Sequence, residues 1–269
     1  MINTHDNLKS ASKKLKLTKN QEAFHHIESL VLQGTLIKSV MESVNKKVIK
    51  SWSAFTNNFP ASLFKFVRKA VQQQLPTASN LVRWGRKKDS ACPLCQKIQT
   101  NKHVLSNCSS TIALKRYTTS HDSVLDILAA WILTSKLPNS SLHVDSASDC
   151  FRKVNEIFLS VRPDIVIASP NRIVTLELTI CHESNMLKSK AFKDNKYSTL
   201  KDDLMPKYQR CPLKQYTIEV STLGLVSYIN EFCKSNLNDK FLPLKIRNEI
   251  INSVVAHSYS IYCSRNNVT

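Results

Sequence analysis

The chain has 269 residues, and 38 Lys and Arg against 20 Asp and Glu give a formal net charge of +18. A hydrophobic fraction of 42% supports a packed core and excludes a chain that is disordered throughout. The charge favours a polyanionic partner, most often nucleic acid, because phosphate binding releases counterions; a merely basic surface is the alternative. Only three Gly are present, and no Gly-rich phosphate loop occurs, which argues against P-loop and dinucleotide-binding folds.

Neither a secretion signal nor a membrane span is predicted. The first residues, MINTHDNLKS, lack the apolar core of a signal peptide. The longest apolar stretch, Val124 to Leu133, contains Asp126 and is too short to cross a bilayer. Five of the cysteines are widely spaced along the chain, and we expect them to be reduced thiols of an intracellular protein.

The first 90 residues predict a basic arm followed by helices. Residues 1–20 are rich in Lys and Asn and predict a flexible arm. Residues 21–90 predict a helical linker, because apolar residues recur at helical spacing from Gln21 to Trp52 and again from Pro60 to Leu75. Gly34 is a candidate break between the first two helices.

A short strip at the end of this linker combines positive charge with an aromatic residue. Basic residues beside an aromatic suit phosphate contact and base stacking. The alternative is a solvated edge with the aromatic ring packed beneath it. The strip consists of Arg83, Trp84, Arg86, Lys87 and Lys88.

Four residues directly after the strip have the spacing of a zinc site. The string ACPLCQKIQTNKHVLSNC places Cys92, Cys95, His103 and Cys108 in the pattern Cys-x2-Cys-x7-His-x4-Cys. Three thiolates and an imidazole suit a closed tetrahedral zinc site with no open position. Scattered buried cysteines are the alternative. We expect the first two cysteines in a knuckle turn, and the histidine and last cysteine in the first turn of a following helix.

The remaining chain predicts helices and then a mixed α/β domain. Residues 91–137 hold the zinc knuckle and a helix from about Ser120, and the polar stretch after Pro138 predicts a domain boundary. The domain at 149–265 predicts a helix, two strands joined by a turn, a helix, a strand and two helices. The predicted segments are Asp149 to Leu159, Ile165 to Ile167, Ile173 to Ile180, Asn185 to Met205, Tyr216 to Thr222, Gly224 to Asn236 and Leu244 to Tyr262.

Two acidic residues mark the predicted pair of adjacent strands. Asp164 opens the first strand and Glu177 lies in the second, at Asp-x12-Glu spacing. Two strands joined by a short turn can bring both carboxylates to one edge, where they could hold Mg²⁺ or Mn²⁺. This is the logic of the PD-(D/E)xK nuclease fold, although Thr179 occupies the position where that fold has its lysine. Singly, the two acids could also cap a turn or lie on a solvated strand face.

An ordered set of motifs over roughly residues 75–265 resembles one family. The set is LPTASNLVRW, the Cys-Cys-His-Cys pattern, RPDIVI, LELTICHESN, KDNKYSTL and EVSTLG. It resembles the C-terminal region, with zinc knuckle and restriction-like endonuclease, of the protein of single-reading-frame, site-specific non-LTR retrotransposons. The resemblance implies a fold class of helices with a CCHC zinc knuckle, followed by a mixed α/β PD-(D/E)xK endonuclease domain.

The resemblance also implies roles for individual residues. Asp164 and Glu177 would bind the catalytic magnesium or manganese ion. In the family the lysine is displaced to the next helix in a Lys-x2-Lys-Tyr context, which makes Lys193 or Lys196 the base-like group. His182 and Glu183 would support the centre or be polar loop residues, and Arg265-Asn266 matches a family tendency without an assigned role.

The implied activity is nicking of target DNA to prime reverse transcription. The knuckle and the basic strip would grip target DNA or element RNA, and the nucleus follows as the place of action only from this substrate. The only Asp-Asp pair, Asp202-Asp203, lies in a polar stretch, so no polymerase site is predicted in this chain. A non-catalytic zinc-knuckle protein that binds nucleic acid is the alternative, with a scaffold for protein partners as a more distant one.

Overall fold

The computed structural model describes residues 4–34, 36, 38–40, 44, 46–135, 139–146, 150–227, 229–237 and 239–267. Within them the N-terminal part is helical, as predicted. The helices are α1 (Thr4–Ser29), α2 (Lys46–Thr56), α3 (Ala61–Val71) and α4 (Ala78–Arg83).

The described residues 4–20, which were predicted as a flexible basic arm, form the first part of α1. Polarity suggested an arm, but the run from Thr4 to Ser29 contains neither Gly nor Pro and has five Lys and three Leu, which are good helix formers. Described side chains between Ser10 and Gln21 are exposed. Helix propensity, and not packing, therefore accounts for this half of α1.

The helix after the zinc region begins well before the predicted position near Ser120. Helix α5 spans Thr111–Thr134, and the Ser110 hydroxyl caps it by accepting a hydrogen bond from the Ala113 N–H at 3.2 Å. The periodic apolar residues lie only in its second half, which explains the late prediction. The polar first half follows directly from the zinc region.

Four strands form one sheet in the order β1-β2-β3-β4. They are β1 (Ser141–Val144), β2 (Ile165–Ser169), β3 (Arg172–Cys181) and β4 (Leu213–Ser221). The first two pairs are antiparallel, and β3 runs parallel to β4. The three predicted strands are confirmed as β2, β3 and β4, whereas β1 falls in the polar stretch predicted as a domain boundary. Leu137 and Pro138, where that boundary was expected, lie outside the described residues.

Helix α6 (Met186–Lys196) makes the crossover between the parallel strands. It is shorter than the predicted Asn185 to Met205, because the chain continues in 3-10 turns at Leu200–Asp203 and Pro206–Tyr208. The helix predicted from Asp149 to Leu159 is also absent from the described residues 150–159, which hold a single 3-10 turn at Val154–Glu156. There Phe158 forms an isolated β-bridge with Leu204, which follows α6 in the chain. This segment therefore pairs with the crossover connection and does not form a helix.

The chain ends in helices, as predicted. A short helix α7 (Asn230–Phe232) continues as a π-helical turn (Cys233–Leu237), and the long α8 spans Leu244–Cys263. Gly224, before α7, has a φ of +79°, and a Cβ there would lie 2.9 Å from the Ile251 Cα. Glycine is therefore required where the chain leaves β4 and passes α8.

The hydrophobic core joins all parts of the chain. Helices α5 and α8 cover one sheet face. Leu128, Ile132 and Val254 of these helices lie in one apolar cluster with Leu176 of β3. A second cluster covers the other face, and a third packs α2 and α3 against α8. The Trp52 indole N–H also donates to the Leu223 carbonyl at 2.7 Å. Helices of the predicted segment 21–90 therefore pack on α8, which belongs to the predicted segment 149–265.

Candidate zinc site and carboxylate centre

The four predicted zinc ligands converge. One ligand atom of each of Cys92, Cys95, His103 and Cys108 lies within 4.8 Å of the others. The Cys92 and Cys108 sulfurs are 4.0 Å apart, and the Cys95 sulfur lies 3.3 Å from His103 Nε2. A tetrahedral zinc ion with bonds of about 2.3 Å to sulfur requires ligand spacings of about 3.8 Å. The cluster therefore has the geometry and the donor set of a structural zinc site.

Local backbone structure sets these positions. The knuckle turn is closed by hydrogen bonds from the Cys92 N–H to the Lys97 carbonyl and from the Gln96 N–H to the Cys92 carbonyl. Gln96 has a φ of +62°, the left-handed conformation that reverses the chain. His103 begins a π-helical turn (His103–Asn107) that precedes α5, and not the first turn of the following helix as expected.

The electrostatics of His103 suit a metal ligand. Burial and the nearby Lys97 charge both lower the pKa of this imidazole. A neutral ring keeps the lone pair that binds zinc. A hydrogen-bond chain then connects the ligands to α5, because the Tyr117 hydroxyl donates toward the Val104 carbonyl at 2.8 Å and accepts from the Cys108 N–H at 3.2 Å.

The basic strip before the knuckle is exposed along its length. Trp84 is 39% exposed and is not packed beneath the strip. Gly85 in its centre has a φ of +70°, the left-handed conformation that favours glycine, and a Cβ there would meet no atom within 4 Å. All five side chains are accessible, namely Arg83, Trp84, Arg86, Lys87 and Lys88.

Asp164 and Glu177 meet where β2 begins beside β3, the two inner strands of the sheet. The Leu178 N–H donates to Asp164 Oδ2 at 2.7 Å, and the Asp164 N–H donates to Glu177 Oε1 at 3.2 Å. The antiparallel register, with Ile165 opposite Leu176, produces this reciprocal arrangement. Glu177 is fully buried, and the Asp164 side chain is 13% exposed.

The two candidate lysines have different partners. The Lys193 ammonium lies 2.7 Å from Glu177 Oε2 and 3.7 Å from Asp164 Oδ2. The Lys196 ammonium instead donates to the Tyr197 hydroxyl at 2.9 Å. Of the predicted residues, the structure thus brings Asp164, Glu177 and Lys193 into direct contact. We call these three residues the carboxylate centre.

Burial and the charges of the neighbouring groups shift the pKa values of the three residues of the centre in different directions. Burial raises the pKa of Glu177, and the Asp164 charge raises it further against the opposing effect of Lys193. Burial also raises the pKa of Asp164, but the His121 ring and the Lys193 charge outweigh it and lower the pKa. Burial lowers the pKa of Lys193, yet the two carboxylates leave it above its usual value.

Two residues at the centre were not predicted from the sequence. His121 on α5 places Nε2 3.6 Å from Asp164 Oδ2, and its Nδ1 lies 3.2 Å from Asp122 Oδ1. Tyr197 is buried at the end of α6, and burial followed by the Glu177 charge raises its pKa. Tyr197 belongs to the Lys-x2-Lys-Tyr motif, so the sequence held a signal for it. No signal in the sequence connected His121 with the strand that follows Asp164.

An open cleft of about 330 Å³ lies beside the carboxylate centre. Its walls come from the π-helical turn, α5, β3, α6 and α8. Among the residues that line it are Ser106, Tyr117, His121, Thr179 and Lys193.

Four further residues noted in the sequence have structural contacts. His182 and Glu183 are buried where β3 leads into the 3-10 turn Glu183–Asn185, with Nε2 of the ring 3.3 Å from Glu183 Oε2. Arg265 donates to the Pro76 carbonyl at 3.0 Å, and Asn266 accepts from the Gln99 side chain at 3.2 Å. The contact between Asn266 and Gln99 thus connects the end of α8 to the zinc region.

The predicted absence of a polymerase site concerned Asp202-Asp203. These residues lie in the 3-10 turn after α6, and the Asp203 carboxylate accepts hydrogen bonds from the backbone N–H groups of Ser160 and Val161. Asp203 therefore holds a loop in place.

Among the residues that the structure describes, no helix is both long and apolar enough to cross a membrane.

Residues 37–114 match the family model described as zinc-binding in reverse transcriptase. The matched span contains α2 to α4, the basic strip and all four ligands of the zinc cluster. No curated protein matches the chain. The match relates this segment to the zinc-binding domain of reverse transcriptase-related proteins and indicates a retrotransposon-related protein. Together with the cluster geometry, it supports a structural zinc ion at Cys92, Cys95, His103 and Cys108.

Proposed function

We propose that the chain is a metal-dependent DNA endonuclease module of a non-LTR retrotransposon, in which the zinc region helps to hold nucleic acid. The observation that carries the proposal is the contact of the Lys193 ammonium with both Asp164, at the start of β2, and Glu177, in the adjacent strand β3. Buried carboxylates that share one cation at the edge of a cleft are a common arrangement in functional sites.

The donor set of the centre suits a divalent cation. Mg²⁺ is usually held by one or two carboxylates and completes its coordination with water and substrate phosphate oxygens. Asp164 and Glu177 would supply the two carboxylates, which lie 3.7 and 2.7 Å from the Lys193 ammonium. When bound, Mg²⁺ or Mn²⁺ supplies Lewis acidity at the scissile phosphate and a more acidic water.

The protein groups around the centre have separate tasks. The Leu178 N–H and the His121 ring orient the Asp164 carboxylate. Lys193 places a positive charge where negative charge develops on the phosphate. The excess of basic residues supports binding of the polyanionic substrate, with the exposed strip from Arg83 to Lys88 as the proposed contact to DNA or element RNA. The nucleus is the place of action that this substrate implies.

Conversion of supercoiled plasmid to the open circle tests this function. We expect the zinc-loaded protein to nick the plasmid with Mg²⁺ or Mn²⁺, and Asp164→Ala to lose the activity. Asp194→Ala is the matched control, because Asp194 is an acid exposed on α6 that pairs with Lys190. Absence of nicking above the Asp164→Ala level in every metal and salt condition would support the non-catalytic nucleic-acid-binding alternative instead.

A further inference from the structure

The outer surface of α6 presents an aromatic ring among lysines. Phe192 is 67% exposed, and Lys188 and Lys196 lie one helical turn before and after it. The spacing i, i+4, i+8 places the three side chains on one stripe of the helix, and all three are exposed. We call Lys188, Phe192 and Lys196 the α6 stripe.

The position of Phe192 distinguishes it from other exposed apolar residues. Single exposed apolar side chains are common and by themselves indicate nothing. The residue after Phe192, however, is Lys193, whose ammonium contacts both carboxylates of the centre. The α6 stripe therefore belongs to the helix that supplies Lys193 to the centre, with Phe192 one residue away along the chain and about 100° away around the helix axis.

The charge of α6 also matches a nucleic acid strand. The helix carries four Lys and one Asp, and the Asp194 carboxylate pairs with Lys190 at 3.2 Å, off the stripe. The stripe itself contains no acidic residue. A positive surface with an exposed aromatic ring is the arrangement that binds single-stranded nucleic acid, because phosphates contact the cations and bases stack on the ring.

We propose that the α6 stripe binds an unpaired DNA base next to the scissile phosphate, with the base stacked on Phe192 and the flanking phosphates at Lys188 and Lys196. The proposal rests on the proposed nuclease function and specifies its substrate. Bases within a duplex are stacked on each other and cannot reach a side chain at the phosphate backbone. The preferred substrate is therefore DNA that is single-stranded or locally opened at the cleavage position.

Binding without cleavage tests this surface. Fluorescence anisotropy is measured with a labelled oligo-dT strand and a blunt duplex of equal length, on zinc-loaded protein without added magnesium or manganese. The variants are Phe192→Ala and Phe192→Trp, which removes or retains a stacking surface. Phe241→Ala is the matched control, because Phe241 is an exposed aromatic residue (58%) outside α6. Circular dichroism and zinc content of each variant verify the fold.

We expect Phe192→Ala to weaken binding to the single strand roughly 5- to 100-fold, as stacking contributes about 1–3 kcal/mol per base. Phe192→Trp and Phe241→Ala should bind like the wild type, and duplex affinity should change less than about twofold in every variant. Lys188→Gln should lower the salt dependence of single-strand binding by about 0.7 in slope. Unchanged single-strand binding by Phe192→Ala, or an equal loss on both substrates, would overturn the proposal. Because no cleavage is measured, an inactive nuclease does not affect this result.

Discussion

Lys193 and Lys196 are the residues for which the structure distinguishes two sequence-level alternatives most sharply. Both lie near the end of α6, but only the Lys193 ammonium reaches the carboxylates, whereas Lys196 donates to the Tyr197 hydroxyl. A preorganised positive group at the reacting phosphate contributes roughly 10²–10³ to the rate. We therefore expect Lys193, and not Lys196, to affect the rate of the chemical step.

We predict that Lys193→Ala lowers the single-turnover nicking rate roughly 10²–10³-fold. Lys196→Ala should lower it less than about tenfold, because its ammonium contacts no carboxylate of the centre. The measurement uses saturating protein, so that weaker DNA binding does not enter the rate. Equal losses in the two variants, or a larger loss in Lys196→Ala, would assign the catalytic lysine differently.

Glu219 provides a prediction on stability that is independent of cleavage. It is 3% exposed on β4, its Oε1 has no hydrogen-bond partner within the described residues, and burial raises its pKa. The folded protein therefore holds this proton more tightly than the unfolded chain. Its contribution to stability is complete below the ordinary pKa and is lost as pH rises through the raised value.

We predict that Glu219→Gln raises the free energy of unfolding at pH 7 by about 1 kcal/mol, because the amide stays neutral in the same space. The gain should shrink as the pH is lowered through the raised pKa of Glu219, because the native carboxyl then takes up its proton and becomes neutral like the amide. Urea unfolding at pH 7 and at a series of lower pH values measures the difference. A less stable variant at pH 7 would show that the charged carboxylate is satisfied.

At the scale of elements, the zinc cluster holds together segments that have little other means of folding. The region from Trp84 to Asn107 contains short turns and one isolated strand pair, Ala91 with Ile98. Zinc binding supplies folding free energy to such segments directly. The Tyr117 contacts extend that constraint to the start of α5.

We predict that Cys108→Ser loses bound zinc and lowers the melting temperature, with chelation of the wild type giving the same result. Cys263→Ser is the matched control, because Cys263 is an exposed cysteine at the end of α8 that lies outside the cluster. Metal content and thermal unfolding by circular dichroism measure the effect. If Cys108→Ser kept its zinc and its melting temperature, the ligand assignment would be wrong.

At the scale of the whole molecule, the segments predicted as separate domains depend on each other. Helix α8 packs on the sheet through Ile250 and Val254, and on the N-terminal helices through Val255 and Ile261. Helix α5 lies before the predicted boundary and strand β1 lies within it, but both complete the sheet layer. Removing either part exposes apolar surface that the rest of the chain covers.

We predict that a fragment of residues 149–265 does not fold cooperatively, since it lacks α5, β1 and the helices that cover α8. A fragment of residues 46–267 should unfold in one transition. Thermal unfolding followed by near-ultraviolet circular dichroism compares the two. A cooperative transition in the shorter fragment would show that the predicted domain is an independent unit.

The sequence predicted those parts of the fold that local patterns encode. β-branched runs identified β2, β3 and β4, and ligand spacing identified the zinc cluster. Strand β1 was missed because its polar, four-residue segment becomes a strand only by pairing with β2. The start of α5 was missed because Ser110 caps a polar first half.

The carboxylate centre shows the same limit. Asp164, Glu177 and the two lysines were named from spacing and resemblance, because strands joined by a tight turn have a predictable register. His121 reaches Asp164 only through the packing of α5 on the sheet, which no local pattern encodes. The choice between Lys193 and Lys196 likewise required the rotation of α6 about its axis.

The central claim is that Asp164, Glu177 and Lys193 form the centre of a metal-dependent nuclease. Comparison of Glu177→Gln with Glu219→Gln in Mg²⁺-dependent plasmid nicking tests it most directly. Both acids are buried on one sheet face, and Glu219 pairs with Thr179, two residues beyond Glu177, but only Glu177 contacts Lys193. We predict that Glu177→Gln lowers the initial rate by about 100-fold or more, while Glu219→Gln retains nearly the wild-type rate. Nicking by Glu177→Gln at the wild-type rate would contradict the assignment of this centre.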